Sequence, residues 1–502
     1  MIPASLASRP GVKTCFQGKE VVMNPFRLLY RLPFNPKSAI RNSKLLVVLL
    51  SLSPLLLGFP ATVHAQWEPD RRLTFDDTSS ATTYNNAWCV AATGDTVHVV
   101  WSHRRNGTEI YYRRSLDSGV SWGQEIRLTN AQGGSYSPSV AVSGSYVHLT
   151  WSDFRDGDVE IYYIRSTDGG SVWEPDQRLT NAGGLSEVPS LAASGSDVHV
   201  VWWDNRSGGD GVYYKRSTDS GVQWSPDTCL SQQVSTDTWA SVSASGAMVH
   251  VVWDERPGVV YYKRSSDRGS SWSPTTQLSS QTAMAPSIAS SESLVHVTWE
   301  GPSGSVYRIF YKRSTNGGVT WSQDTLLPSG AWSFLPSICV SGGVVHVVWW
   351  DSGEEIFYNH STDAGISWQL FYTQLTNDTS HSEYSSVAAS DSAVHVVWMD
   401  DRDGNWEVYY KRNPTGNLVR IEVPGVVQRL KLAGRVSVRP NPFISFATVP
   451  CHSSERFALY DISGRKVGVW KGDRIGEGLP AGVYFLRAGD VMVKPLRIVK
   501  LR

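Results

Sequence analysis

One pentapeptide recurs along most of this 502-residue chain. Val97-His98-Val99-Val100-Trp101 returns in close variants whose Trp stands at 151, 202, 253, 299, 349 and 398, at spacings of 50, 51, 51, 46, 50 and 49 residues. A second block, Tyr111-Tyr112, follows in step at Tyr162-Tyr163, Tyr213-Tyr214, Tyr261-Tyr262, Phe310-Tyr311, Phe357-Tyr358 and Tyr409-Tyr410. A period of this size restricts the chain to solenoids, arrays or propellers. Within unit 2 the pattern predicts four short strands, at residues 138–143, 147–151, 160–165 and 172–179. Val, Tyr, Trp and Thr favour strands, and the Gly, Asp and Ser between them favour turns. No helical periodicity competes. Four antiparallel strands repeated seven times is the pattern of a seven-bladed β-propeller, an all-β fold.

Unit 7 has three predicted strands and no fourth. The segment Trp67-Glu68-Pro69-Asp70-Arg71-Arg72-Leu73-Thr74 copies Trp173-Glu174-Pro175-Asp176-Gln177-Arg178-Leu179-Thr180, the fourth strand of unit 2. The start of the propeller, residues 66–412, is therefore expected to complete its last blade and protect the edges an open array would expose.

The turn between strands 3 and 4 carries Ser-x-Asp/Asn-x-Gly-x-x-Trp six times, from Ser115 to Trp122, Ser166 to Trp173, Ser217 to Trp224, Ser265 to Trp272, Ser314 to Trp321 and Ser361 to Trp368. An acidic or amide side chain there can bind the amides of a tight hairpin. The Gly supplies a positive φ, and the Trp is expected to pack on the hairpin. The motif resembles the Asp box of the sialidase (BNR-repeat) superfamily, with Asp117, Asp168, Asp219, Asp267, Asn316 and Asp363 in the structural position. The resemblance implies a propeller and a carbohydrate partner, and it leaves open a six-bladed sialidase-like ring as the alternative to seven. It does not imply catalysis, because these boxes are structural in the family. The family's Arg-Ile-Pro motif is missing, the nearest string being Arg308-Ile309-Phe310, so no catalytic residue carries over.

In an up-and-down blade the 2–3 hairpins and the 4-to-1 links share a face opposite those boxes, and that face is the expected ligand site. It collects Asp-x-Arg pairs at Asp153/Arg155, Asp204/Arg206, Asp254/Arg256 and Asp400/Arg402, with Arg105 in unit 1. Glu109, Glu160, Glu355 and Glu407 recur where strand 3 begins. Arg155, Arg206, Arg256 and Arg402 are candidate ligand contacts. The competing reading pairs each Arg with its own hairpin Asp, and the recurrence favours it, since an active site is asymmetric and a repeat is not. The seven His of the pentapeptides share one register, which indicates packing or hydrogen bonding between blades and no metal site. No cofactor is required. The Asp-rich loops 153–158 and 400–403 admit Ca²⁺ through oxygen ligands but lack a full ligand loop. Of the 21 Trp, seven end the pentapeptide strands, six close the boxes, Trp67 stands in for a seventh, and Trp470 lies in the tail. The remaining six, Trp88, Trp203, Trp239, Trp332, Trp350 and Trp406, fall in links or hairpins of the ligand face. Exposed aromatic rings there suit sugars or protein partners.

The ends are different in kind. Residues 1–65 hold eight basic side chains and one acid, with an apolar run at 45–59 and Val63-His64-Ala65 before Gln66. This is a secretory signal pattern, too short for a bilayer span. Of the cysteines, Cys89, Cys229, Cys339 and Cys451 follow it, scattered and without metal spacing. Residues 413–433 read as a linker. Residues 434–502 carry twelve bases and five acids, and their alternating apolar runs indicate a small Ig-like β-sandwich. The blocks Arg439-Pro440-Asn441-Pro442, Leu459-Tyr460-Asp461-Ile462-Ser463-Gly464 and Pro480-Ala481-Gly482-Val483-Tyr484 resemble the C-terminal sorting domain of type IX secretion cargo and the related flagellar-hook-cap repeat. That resemblance implies a secreted or cell-surface protein that meets the secretion machinery through its tail, with no membrane span in the mature chain. Although the formal net charge is zero, residues 66–433 are net −14, which excludes nucleic acid as the main partner. The reading is a secreted, sialidase-like propeller that binds glycans or surface proteins without recognisable catalysis. A sialidase-type glycoside hydrolase with a diverged site and a structural surface protein are the alternatives.

Overall fold

The computed structural model describes residues 67–83, 89–105, 107–206, 210–234, 238–255, 258–417, 456–461, 466–471, 474–488 and 496–500. Every regular element among them is a strand. Seven antiparallel sheets follow one another along residues 67–417 as blades I to VII. The first strands of successive blades touch around a closed ring, blade VII meeting blade I. The propeller therefore has seven blades, and the six-bladed alternative does not hold.

The strands differ in length from the sequence expectation. Blade II comprises Ser135–Ser143, Tyr146–Asp153, Glu160–Ser166 and Gln177–Arg178. The second strand runs two residues further than its Trp, and the fourth is a two-residue pairing. Blade III alone has a long fourth strand, Thr228–Val234. Blade I carries an additional short strand, Ser80–Ala81, beside its second strand.

The last blade closes as expected. Arg71 and Arg72 pair with Tyr410 and Tyr409 of strand Glu407–Asn413. Leu73 donates its amide to the Val408 carbonyl at 2.8 Å, and Glu68 Oε1 and Oε2 accept from Arg412 at 2.7 and 2.6 Å.

The core lies between blades. A blade buries both faces of its sheet against neighbours, so its second strand is buried on both sides. Val345, Val347 and Trp349 of blade VI pack on Ile309, Tyr311 and Leu327 of blade V. Val394, Val396 and Trp398 of blade VII pack on Val348, Ile356, Tyr358 and Leu375 of blade VI. All seven pentapeptide Trp are at most 2% exposed. Burying side chains of this size contributes about 2–3 kcal/mol each, which makes the blade interfaces the main source of stability.

The seven His perform one structural task. Each places Nδ1 2.7–2.8 Å from the hydroxyl of the second Tyr in its own blade, from His98–Tyr112 to His395–Tyr410. The bond is thus within a blade and not between blades. The Tyr is what crosses the interface. The Trp that closes each Ser-x-Asp-x-Gly-x-x-Trp turn meets the Tyr of the preceding blade edge-on, as in Trp173–Tyr112 at 4.9 Å and Trp122–Tyr410 at 4.8 Å. Trp67 makes the same contact with Tyr358 at 4.9 Å and so fills the seventh position. The turn Gly abuts that Tyr hydroxyl in all six turns, leaving no room for a Cβ at Gly119, Gly170, Gly221, Gly269, Gly318 or Gly365.

Inner strands are also stapled. Ser139, Ser190, Ser241, Ser287 and Ser337 accept a first-strand amide of the next blade at 3.1–3.4 Å, and Ser386 accepts the Cys89 amide at 3.1 Å. Past the last strand, Asn417 places Oδ1 3.0 Å from His346 Nε2, so the ring's contacts extend through that residue. In the tail one antiparallel sheet is described, in the order Lys466–Lys471, Arg456–Tyr460, Gly482–Ala488, Leu496–Lys500. Residues 418–455, with most of the expected linker, lie outside the described residues, as do residues 1–66 and Cys451. Cys89, Cys229 and Cys339 are free thiols.

Candidate functional site

The two faces are built as the topology requires. Each 3–4 turn donates an amide to the 1–2 turn of its own blade, as Gly169 does to Ser145 at 2.8 Å. On the other face the 4-to-1 links bond the 2–3 hairpins, for example Phe154 to Gly134 at 3.0 Å and Ser352 to Trp332 at 3.0 Å. The 3–4 turns hold themselves. Asp168 Oδ1 accepts the Ser171 and Val172 amides at 2.9 Å each and the Ser166 hydroxyl at 2.8 Å. Asp117, Asp219, Asp267 and Asp363 repeat this pattern, and Asn316 accepts the Thr320 amide at 2.9 Å.

The hairpin arginines are engaged internally. Arg155 grips Asp153 with two bonds of 2.9 and 2.8 Å, reaches Asp176 at 2.7 Å, and lies over the Tyr162 ring at 4.1 Å. Arg206 binds Asp204 and Asp227 and covers Tyr213. Arg402 binds Asp400, Asp70 and Asp378 and covers Tyr409. The side chains are 16–23% exposed. Burial alone would raise Asp153, Asp204 and Asp400. The bonds from Arg, Trp and Ser outweigh it and leave all three lowered. Asp156 and Asp403 accept a Tyr hydroxyl and an Arg each. The carboxylates of Asp153, Asp156, Asp400 and Asp403 therefore already hold donors, and no group of three His, Cys, Asp or Glu among the described residues is placed to hold a metal ion. Arg256 lies outside the described residues.

The six Trp separate by environment. Trp203 is 5% exposed and belongs to the interface of blades III and IV. It sits inside a second strand that is longer than expected, not in a hairpin, and the same holds for Trp350. Trp350 is half-buried and meets Phe334 at a tilt, with ring centroids 5.2 Å apart. Trp239 is half-buried, and its amide donates to Asp254 at 2.7 Å. Trp406 is half-buried beside His381 at 6.3 Å. Trp332 is 42% exposed and faces Tyr307 of blade V at 6.2 Å. Trp88 lies outside the described residues.

Trp332, Tyr307, Phe334 and Trp350 thus form one aromatic strip at the hairpin end of blades V and VI. Two backbone features mark the same corner. Among the described non-Gly residues with positive φ, most recur at repeat positions, either in the 3–4 turn or at the first-strand bulge of Ser137, Val188, Ala285, Leu335 and Tyr384. Glu292 (φ 54°), Trp332 (φ 62°) and Glu354 (φ 63°) instead stand where other blades use Gly, Glu292 in a 1–2 turn on the opposite face and the other two at this corner. Blade II has Gly134 where blade VI has Trp332, and the turn-closing position of Glu354 is held by Gly157, Gly258 and Gly404 elsewhere. A bulky or charged residue in this region is strained, at roughly 1–3 kcal/mol, and such strain concentrates at functional sites. Next to Glu354 stands His381, 48% exposed, with Nε2 2.6 Å from Glu354 and Nδ1 2.8 Å from Asp401. Its bond to Asp401 raises its pKa, with further support from the charges of Glu354 and Glu383. His381, Glu354 and Tyr307 were not singled out by the sequence reading. The loss of the turn Gly at 354 was the available signal.

No protein-family model and no curated protein matches the chain. Among solved structures it is similar to the sialidase of Trypanosoma rangeli, at 12% identity and TM-score 0.40, covering 58% of this chain and 56% of that one. It is also similar to the NanB sialidase of Streptococcus pneumoniae, at 13% identity and TM-score 0.42, covering 70% and 71%. An ulvan lyase representing a new polysaccharide lyase family gives 11% identity and TM-score 0.49, covering 68% and 95%. The chain spans little more than half the length of the trypanosomal enzyme. The seven-bladed fold stands on the sheets of this chain itself.

Proposed function

We propose that this protein is an exported propeller that binds carbohydrate on its hairpin face, in the sector of blades V to VII. The observation that carries this reading is Trp332. It is a large aromatic ring, 42% exposed, held at positive φ where another blade uses Gly. Stability alone favours a Gly there, so the ring is best explained by what it touches outside the fold. Stacking on an apolar sugar face is the contact such a ring offers. The apolar leader and the C-terminal sheet support export and delivery to the cell surface.

A glycan array probed with the mature chain and with Trp332→Gly tests the reading. Binding that is lost in the variant supports it, and no binding to any glycan overturns it. A second reading, glycoside hydrolysis, is favoured by one pair of carboxylates, Asp351 and Glu355, at opposite ends of the blade VI hairpin, since two carboxyls flanking a bond are the usual apparatus. Turnover of a fluorogenic sialoside would select it. A chain lacking residues 434–502 should accumulate in the periplasm, and export at the normal level would remove the sorting role of the tail.

A further inference from the structure

Blade VI keeps the acids of its hairpin and has lost the groups that neutralise them. In blades II and VII the hairpin carries an Asp at one end and a Glu at the other, Asp153 with Glu160 and Asp400 with Glu407, and these pair across the strands. Each Asp is held by three neighbours: its Arg, a Ser at the start of the first strand, and the indole N–H of the pentapeptide Trp. For Asp400 these are Arg402, Ser382 at 2.7 Å and Trp398 at 3.0 Å. Each Glu is held by an Arg of the fourth strand, Arg178 at 2.5 Å for Glu160 and Arg72 at 2.7 Å for Glu407. Blade I repeats the latter with Arg127 and Glu109 at 2.8 Å.

In blade VI the equivalents are Asp351 and Glu355, and none of those bonds is made. The hairpin reads Asp351-Ser352-Gly353, so the Arg is absent. Ser333 donates to the Gly330 carbonyl at 3.0 Å instead. Trp349 is 0% exposed, yet its indole nitrogen has no hydrogen-bond partner. In blades II, III, IV and VII the same N–H reaches the acid two residues on. Gln374 occupies the fourth-strand position of Arg72, Arg127 and Arg178, opposite Phe357. Glu355 is left with the Thr376 hydroxyl and the Asp378 amide, and Asp351 with backbone amides such as that of Gly353 at 2.9 Å, so neither has a cationic partner. Burial raises both acids above their ordinary range, and for Glu355 the charges of Asp378 and Asp351 add to this. Nearby charges do not compensate. Arg402 is shared among Asp400, Asp70 and Asp378, His381 lies between Glu354 and Asp401, and Arg308 donates to the Ser329 carbonyl at 3.3 Å.

Aromatic rings replace the lost guanidinium. Where Arg155 and Arg402 cover the first Tyr of their pair, Tyr372 meets Phe357 at 5.3 Å and Trp349 at 5.9 Å. Its hydroxyl and Asp351 Oδ2 both flank Gly330, each 3.6 Å from where a Cβ would stand. Trp332 is two residues from Gly330. A half-buried carboxylate pair without a cation is costly unless something supplies one.

We propose that the hairpin end of blade VI binds an amine-bearing glycan, its ammonium group standing where arginines stand in blades II and VII and its ring resting against Trp332. This rests on the carbohydrate reading above and narrows it. Anionic sugars such as sialosides are disfavoured at this site by like charge, and the aromatic neighbours favour an organic ammonium over a bare metal ion.

The test is calorimetric titration of the mature chain with glucosamine oligomers, with N-acetylglucosamine oligomers of the same length, and with sialyllactose, at a mildly acidic pH that keeps the amines protonated. The aminated oligomer should bind at least about tenfold more tightly than its acetylated counterpart. Gln374→Arg should remove that preference while leaving the melting temperature unchanged or raised, because the new guanidinium reaches Glu355 as Arg178 reaches Glu160. Asp351→Asn should weaken aminated binding alone. Equal binding of aminated and acetylated oligomers would overturn the charge assignment and leave the carbohydrate reading standing. Binding to none of the three would count against both. Calcium chloride protecting the chain thermally as well as the amine, and losing that effect in Gln374→Arg, would replace the amine by a metal ion and also overturn the proposal.

Discussion

Removing the closing strand should open the ring. Consider a chain that lacks residues 67–75. It loses Leu73, which is 1% exposed in the interface of blades VII and I. Truncation of a buried Leu costs about 3 kcal/mol. It also loses Arg72 and Thr74, both bonded to Glu407, whose side chain is 0% exposed. Leaving a buried acid without its partners costs roughly 3–5 kcal/mol. The edge contact of Trp67 on Tyr358 adds about 1 kcal/mol beyond its area. The half-exposed pair of Glu68 and Arg412 adds less than about 1 kcal/mol. These losses approach the roughly 5–15 kcal/mol that separates a typical domain from its unfolded state. Thermal unfolding followed by Trp fluorescence should show a fall of roughly 10 °C or more for the deletion and about 5 °C for Leu73→Ala. A peptide spanning 67–75, added in excess, should restore part of the deletion's loss. An unmoved melting temperature in the deleted chain would refute the closure argument.

The remaining predictions concern the repeat and the aromatic strip. Gly170→Ala should cost more than about 2 kcal/mol, because its φ of +83° disfavours a side chain and the new Cβ meets the Tyr112 hydroxyl. Gly144→Ala, at φ +63° in open space, should cost only about 1 kcal/mol; equal losses in urea titrations would contradict the interface role of the turn. Burial lowers the pentapeptide His from 6.5 to about 3 or 4. They are neutral in the fold and take up protons on unfolding below about 6.5, so stability should fall as pH drops from there toward about 4, by about 1.4 kcal/mol per pH unit per residue. A urea midpoint that does not change over that range would exclude the buried neutral state. Trp203→Ala should destabilise by about 3–5 kcal/mol, since the residue is 5% exposed, whereas Trp332→Gly should leave the melting temperature unchanged or slightly raised. Calorimetry on the two variants distinguishes core from contact surface.

Much of the architecture was legible in the chain because propeller order is written in local periodicity. The Trp of the second strand, the Tyr pair of the third and the missing fourth strand of unit 7 each follow from spacing. So did the division into two faces, which follows from the alternation of up and down strands. What the Trp and Tyr do to one another was not legible. Trp173 meets Tyr112 and Trp67 meets Tyr358, pairs 61 and 291 residues apart in the chain, and only the stacking of blade on blade brings them together. The arginines show the same limit. An Asp-x-Arg string is compatible with a ligand clamp or with an internal ion pair, and the second partner of each Arg, such as Asp70 for Arg402, arrives from a distant strand.

The sequence by itself determined the sevenfold repeat, the strand order, the closing segment and the acidic character of the ring, because these depend on residue type and spacing. Tertiary structure alone decided which tryptophans are core and which are surface. Trp203 and Trp332 look alike in the chain, but exposure depends on how far a strand extends and on which neighbouring blade covers it. It also decided that blade VI is the exception. Asp351 and Glu355 repeat the acids of blades II and VII, and the missing arginines can be read from Gly353 and Gln374, but only the geometry of the displaced Ser333 and the unpaired Trp349 shows that no other group takes their place.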